Sequence, residues 1–273
     1  MRAAKRRLLL TLTAAALAFA GLSASPPARN VRAEEAQSHA ECVLEVSSRR
    51  FLHEKDADLP LPIASTTKIL TAIILLEDCA LWEEVTIPRE AELAGGSSVY
   101  LKRGEVYTVE DLLYGLLLRS GNDCAVSLAI HHSGSIAKFA AVMNVRATLL
   151  GAEHSNFCNP HGLPQKGHLS TARDLALIAA YAMENETFRA IVSAKTYPAR
   201  GWRNKNKLLF GTLEGACGIK TGYTKEAGRC LVGAAERDGI TLVSVVLNCP
   251  RMYERSEALL DDAFSQYEIA SFQ

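Results

Sequence analysis

Apolar and polar positions change their spacing several times along the chain, and each change marks an element. Residues 41–46 alternate and give way to Ser47-Ser48-Arg49-Arg50-Phe51, the pattern of a short β-hairpin. Over 66–77, Ile69, Ile73, Leu76 and their neighbours cover a broad apolar face, so the spacing predicts a buried helix. Ala94-Gly95-Gly96-Ser97-Ser98 is loop sequence. Thr108, with Asp111 three residues on, predicts an N-cap and a helix over 109–118. Ser120-Gly121-Asn122 interrupts it; helical spacing resumes over 123–132 and again over 136–150, ending at Gly151. The stretch 152–169 reads as a long loop, and Thr171 with Asp174 caps a helix over 172–184. After a polar stretch at 200–207 come three strand-like runs, 216–221, 228–235 and 240–247, with Gly- and charge-rich turns between them. An amphipathic helix over 253–267 follows. This order predicts an α+β fold: one antiparallel sheet with helices on its faces, and a helical lobe inserted between its strands.

Composition narrows the field only slightly. Of 273 residues, 48% are hydrophobic and 22% charged, which suits a globular protein. Lys+Arg and Asp+Glu both number 30, so no net field points to nucleic acid as a partner. The N-terminus says more. Arg2, Lys5, Arg6 and Arg7 precede a short apolar run over 8–22 and the small residues Ser23-Ala24-Ser25, the parts of a secretory signal peptide. Residues 1–24 are therefore expected to be a signal peptide and 25–39 a polar leader. The competing reading is an uncleaved N-terminal anchor, though the run is short for a membrane span. Either reading puts the protein outside the cytoplasm. Seven cysteines cannot all pair; Cys217 and Cys230 flank a hairpin and leave one disulfide open. No CxxC and no Cys/His cluster of zinc spacing occurs, so neither metal nor cofactor is expected.

Three short motifs carry candidate chemistry. Ser65-Thr66-Thr67-Lys68 opens the apolar helix; residues three apart share a helix face, so Lys68 can reach the Ser65 hydroxyl. A serine is a nucleophile only when a neighbouring base takes its proton, and lysine serves once burial or a nearby cation lowers its pKa. The helix start also aims N–H groups at a developing oxyanion. Ser120-Gly121-Asn122 lies between two helices and offers a hydroxyl and a carboxamide, able to relay a proton and hold a substrate amide. Lys220-Thr221-Gly222 ends a strand-like run: a cation and a hydroxyl receive a carboxylate, and Gly222 admits close approach of substrate backbone. Each alone has a bland explanation as a cap, a turn or a strand exit. Their occurrence together, each in the context its role requires, is specific.

Together with Pro62-Ile63-Ala64, Ser97-Ser98-Val99-Tyr100-Leu101, Asp123, Asn159-Pro160-His161-Gly162-Leu163 and Tyr223-Thr224, these motifs resemble the low-molecular-mass penicillin-binding proteins, the serine-type D-alanyl-D-alanine carboxypeptidases of peptidase family S11. The likeness runs over about 40–264. It implies the penicillin-binding, β-lactamase-like transpeptidase fold. It also implies acylation of Ser65 by a peptidoglycan stem peptide ending in D-Ala-D-Ala, loss of the terminal D-Ala, and hydrolysis. By the resemblance, Lys68 is the general base and Ser120 relays a proton to the leaving amine. Asn122, Lys220, Thr221 and Gly222 bind substrate, with Lys205 as an added cation and the Tyr223 N–H as an oxyanion donor. β-Lactams are then covalent inhibitors. Residues 40–273 form the catalytic domain; the second β domain and C-terminal membrane anchor of many relatives have no counterpart here, which favours a secreted, wall-associated protein. Two other readings stand beside this one. A β-lactamase needs an acid to activate the deacylating water, for which Glu153 with Asn156 is the nearest candidate. A non-catalytic penicillin- or peptidoglycan-binding protein would carry a degenerate site. Carboxypeptidase and endopeptidase action are the same chemistry and stay unseparated.

Overall fold

The computed structural model describes residues 40–271; the expected signal peptide and leader lie outside the described residues. β1 (Ala40–Glu45) and β2 (Phe51–Lys55) form the expected hairpin. After the turn Ala64–Thr67 the chain runs through α1 (Lys68–Asp78), β3 (Glu84–Thr86), α2 (Arg89–Glu92), β4 (Val106–Thr108), α3 (Val109–Leu118), α4 (Asn122–Ser133) and α5 (Ile136–Leu149). It continues through α6 (Ala172–Glu184), α7 (Glu186–Ser193), β5 (Thr196–Tyr197) and β6 (Trp202–Arg203) before returning to the sheet. There β7 (Ala216–Thr224), β8 (Gly228–Arg237) and β9 (Ile240–Leu247) precede α8 (Met252–Ser271). The main sheet is antiparallel with order β2-β1-β9-β8-β7, so the first strand pairs with the last and β7 is an edge. This is the expected α+β architecture, with the lobe inserted between β2 and β7.

Both faces of the sheet are buried, and the strands alternate accordingly. Cys42, Leu44, Val232, Val243 and Val245 join the core shared with the lobe. Val43, Leu231, Leu242 and Val246 face the other way and pack with Leu259, Leu260 and Phe264 of α8. One polar pair sits in that second layer, Ser244 Oγ with Ser256 Oγ at 2.6 Å. Glu41, fully buried in β1, is held by Arg255 of α8 and by His53, fastening the helix to the sheet. In the lobe, α1 is the central helix; α3 to α7 all pack around it, and its residues from Lys68 to Leu75 are buried.

The predicted caps form. The side-chain oxygens of Thr108 and Thr171 accept from the N–H groups of Asp111 and Asp174. Three boundaries differ from the pattern. The helix expected from 66 starts at Lys68, because the Thr66 and Thr67 hydroxyls bond the carbonyls of Ile63 and Ala64 and tighten this segment into a 3₁₀ turn. Asn185 ends α6 and caps α7, a helix whose buried Phe188, Ile191 and Val192 give too short a pattern to predict. β7 extends to Thr224, so Lys220-Thr221-Gly222 lies within an edge strand and not at its exit.

Candidate active site

Ser65 sits in the turn that leads into α1, directly after Ala64, whose φ of +47° is uncommon for a residue with a Cβ. Lys68 is the first residue of α1, and its side chain folds back along the helix start. Its Nζ lies 2.9 Å from Ser65 Oγ, 2.7 Å from Asn122 Oδ1 and 2.7 Å from the His161 carbonyl. The Asn122 carboxamide is oriented by its Nδ2, which donates to Gly95 O at 2.8 Å. Burial is the main cause that drives the Lys68 pKa well below the usual lysine range, and the positive charge of Lys220 adds to it. A neutral amine has two N–H groups and one lone pair. Asn122 Oδ1 and the His161 carbonyl can only accept, so they take both N–H groups. In that neutral form the lone pair is left for the Ser65 hydroxyl, the arrangement of a base and a nucleophile.

The surrounding loops are pinned by polar residues next to the motifs. Asp123 accepts from Ser98 Oγ and from the N–H groups of Val99, Leu101 and Cys124, which fixes the 97–101 loop on the start of α4. Buried Asn159 accepts from Gly162 N–H at 2.7 Å and donates to Leu163 O at 3.0 Å. Thr71 Oγ1 bonds Pro160 O at 2.8 Å, so the 159–163 loop presents the His161 carbonyl to Lys68. That carbonyl is a site group that sequence reasoning missed, since a backbone oxygen has no residue signature.

From the sheet, β7 brings Lys220, Thr221 and Gly222 against the Ser65 turn. Lys220 is buried with its Nζ donating to Thr221 O at 2.9 Å. Burial, with Lys205 second, pushes its pKa down to about 7. Lys205 is itself lowered, by burial and by Arg119. Gly222 also has a packing role. A Cβ there would lie 3.1 Å from Ile63 O and from Ser65 N, so the missing side chain lets β7 pack on the protein's own nucleophile turn. Ser120, at φ +63°, joins α3 to α4, but among the described hydrogen bonds its hydroxyl makes none with Ser65 or Lys68.

No described Asp or Glu carboxylate hydrogen-bonds to Ser65, Lys68 or Lys220. Glu153 is exposed, and Asn156 is engaged with Gly167 O, so the acid a β-lactamase would use is not supplied by that pair. Cys124 is buried beneath the site with its thiol pushed well up by burial, an inert packing group. The open disulfide is not made. Cys230 lies opposite Gly222 while Cys217 is at the bulge facing Ala234 and Ala235, and both are free. At the far end of α1, Cys79, Glu83 and His131 each bring a ligand atom within 4.8 Å of the others, a grouping that spacing along the chain does not reveal. Glu83 and His131 already satisfy each other there at 3.1 Å.

Known proteins resemble this chain over most of its length. The family model for D-alanyl-D-alanine carboxypeptidases, peptidase S11, matches residues 27–251. The chain is 32% identical over 250 residues to D-alanyl-D-alanine carboxypeptidase DacF of Bacillus subtilis, covering 86% of this chain and 64% of that protein. To a D-alanyl-D-alanine carboxypeptidase of Streptomyces sp. strain K15 it is 35% identical over 267 residues, covering 89% and 91%. It thus spans just under two thirds of the Bacillus relative and nearly all of the Streptomyces one. The crystal structure of penicillin-binding protein D2 from Listeria monocytogenes, in its ampicillin-bound form, superposes with a TM-score of 0.75 at 31% identity, covering 83% of this chain and 97% of that one.

Proposed function

The chain belongs to the D-alanyl-D-alanine carboxypeptidase family, peptidase S11, and from that premise we propose that it removes the terminal D-alanine from peptidoglycan stem peptides, outside the cytoplasm. Residues 40–273 are the catalytic domain and residues 1–24 the export signal. Among the described residues no helix is long and apolar enough to cross a membrane.

Ser65 Oγ attacks the carbonyl carbon of the penultimate D-Ala while Lys68 Nζ takes the hydroxyl proton. The N–H groups of Ser65 and Tyr223 are the donors assigned to the tetrahedral oxyanion. Collapse breaks the peptide bond, and the leaving amine receives a proton relayed through Ser120. Water then attacks the Ser65 ester, Lys68 takes its proton and returns it to Ser65 Oγ as the ester bond breaks, and the shortened stem leaves. Lys220 and Thr221 hold the terminal carboxylate, with Lys205 contributing charge. Asn122 faces the substrate amide and keeps Lys68 aligned. A β-lactam carbonyl enters the same position and leaves Ser65 acylated.

One observation carries the reading: Lys68 Nζ, its pKa lowered by burial and by Lys220, lies 2.9 Å from Ser65 Oγ, and the cations Lys220 and Lys205 act on each other close by, charges suited to an anionic peptide end. The test is D-alanine release from a diacyl-Lys-D-Ala-D-Ala tripeptide by residues 25–273, with Ser65→Ala beside it. Release that disappears in the variant supports the assignment. A stable penicillin adduct without release would move the substrate to cross-linked peptidoglycan, and rapid turnover of nitrocefin would make the protein a β-lactamase.

A further inference from the structure

His168 is almost fully buried and is not among the groups the proposed mechanism uses. Its Nδ1 accepts the Cys158 N–H at 3.0 Å, which fixes the tautomer: the proton is on Nε2. Nε2 lies 2.8 Å from Thr67 Oγ1 and therefore donates to it. Thr67 in turn passes its own hydroxyl proton to the carbonyl of Ala64 at 2.8 Å. The result is a one-way chain from the Cys158 amide to the peptide bond that joins Ala64 to Ser65.

That carbonyl belongs to the residue whose left-handed backbone aims the serine. It is also backed by Gly162, where a Cβ would fall 1.8 Å from Ala64 O. A non-glycine residue in the left-handed region is strained and persists only where neighbours hold it. We propose that His168 is a positioning residue for Ser65, acting through Thr67 to hold the Ala64 carbonyl and thereby the direction of the serine hydroxyl. The neutral ring the chain requires is the one present at neutral pH. Burial, aided by the Lys68 charge, pushes the His168 pKa down to about 4.

The inference rests on Ser65 being the nucleophile. Two substitutions separate positioning from packing. Glutamine places an N–H donor where Nε2 stands and keeps the bond to Thr67. Asparagine reproduces only the acceptor near Cys158. Second-order acylation by a fluorescent penicillin is measured for His168→Gln, His168→Asn, Thr67→Ser and Thr67→Val, with thermal melting of each. The expected result is acylation within about threefold of wild type for Gln and Ser, and a loss of about 10- to 100-fold for Asn and Val, as for a nucleophile misplaced by about an ångström. Equal rates for Gln and Asn, or a loss that follows melting temperature across all four, would overturn it. A wild type that forms no Ser65 adduct overturns the proposed function itself, and the inference with it.

Discussion

Asn122 Oδ1 accepts from Lys68 Nζ at 2.7 Å, and the other end of the same carboxamide is committed to Gly95 O. The amide is neutral, so it orients the lysine without favouring its charged form. A carboxylate of the same shape would favour the ammonium.

Asn122→Asp is therefore expected to raise the Lys68 pKa, the usual effect of an adjacent opposite charge. The pH at which penicillin acylation rises should move up by the same amount, with the plateau at high pH largely kept. An acid limb that stays in place would mean that Lys68 is not the base.

Lys220 gives a second pH signature of opposite sense. With its pKa near 7, it carries the charge that receives a carboxylate below that value and loses it above. KM for the tripeptide should rise as pH rises through about 7, and Lys205→Gln, which removes one of the two causes, should shift that rise to higher pH. Stability has its own sign. The unfolded lysine stays protonated up to its ordinary pKa of 10.5, so between about 7 and 10.5 the unfolded state binds more protons. This group's contribution to the ligand-free protein therefore grows with pH across that window. Urea unfolding at pH 7 and pH 9, for wild type and Lys220→Met, isolates it; identical pH dependence in the two proteins would contradict the depressed pKa.

Gly162→Ala places a methyl group against the Ala64 carbonyl and forces an L side chain to φ +84°. The strain alone is about 1–2 kcal/mol, and the overlap must be relieved by moving either the 159–163 loop or the Ser65 turn. A fall in melting temperature of several degrees is expected, together with slower acylation of the molecules that remain folded. Full activity per folded molecule would show that the turn does not depend on this contact.

Arg255→Met tests the fastening of α8. Removing the cation takes a charged partner from the buried Glu41 carboxylate, which His53 also contacts. Breaking a buried pair from one side costs about 3–5 kcal/mol, read as a lower urea midpoint. Acylation per folded molecule should be unchanged, because the pair lies on the sheet face away from Ser65.

Much of this was legible in the sequence, and the reasons are specific. Ser65, Lys68, Lys220 and Thr221 could be picked out as candidates because the proposed chemistry needs those side chains at those spacings. The inserted lobe followed from strands at both ends of a helical middle. What escaped detection was set by backbone or by distance along the chain. The His161 carbonyl bonds Lys68 whatever its side chain, and the positive φ of Ala64 falls on a residue that rarely adopts it. The packing of Gly222 on Ile63 and Ser65 was not visible either, since it joins strand and turn far apart in the chain. Cys217 and Cys230 looked pairable until the register set them on different rungs.

The pairing of the first described strand with the last has a consequence for how the molecule comes into being. Ala40 sits opposite Leu247, so β1 cannot take its place between β2 and β9 until residue 247 has been made. Contacts so distant in sequence close late, after most of the ordering entropy has been lost. The lobe carrying Ser65 and Lys68 can gather locally, but Lys220 arrives only with the final strands. A chain broken off before β9 would carry Ser65 and Lys68 without the strand that joins β1 to β8.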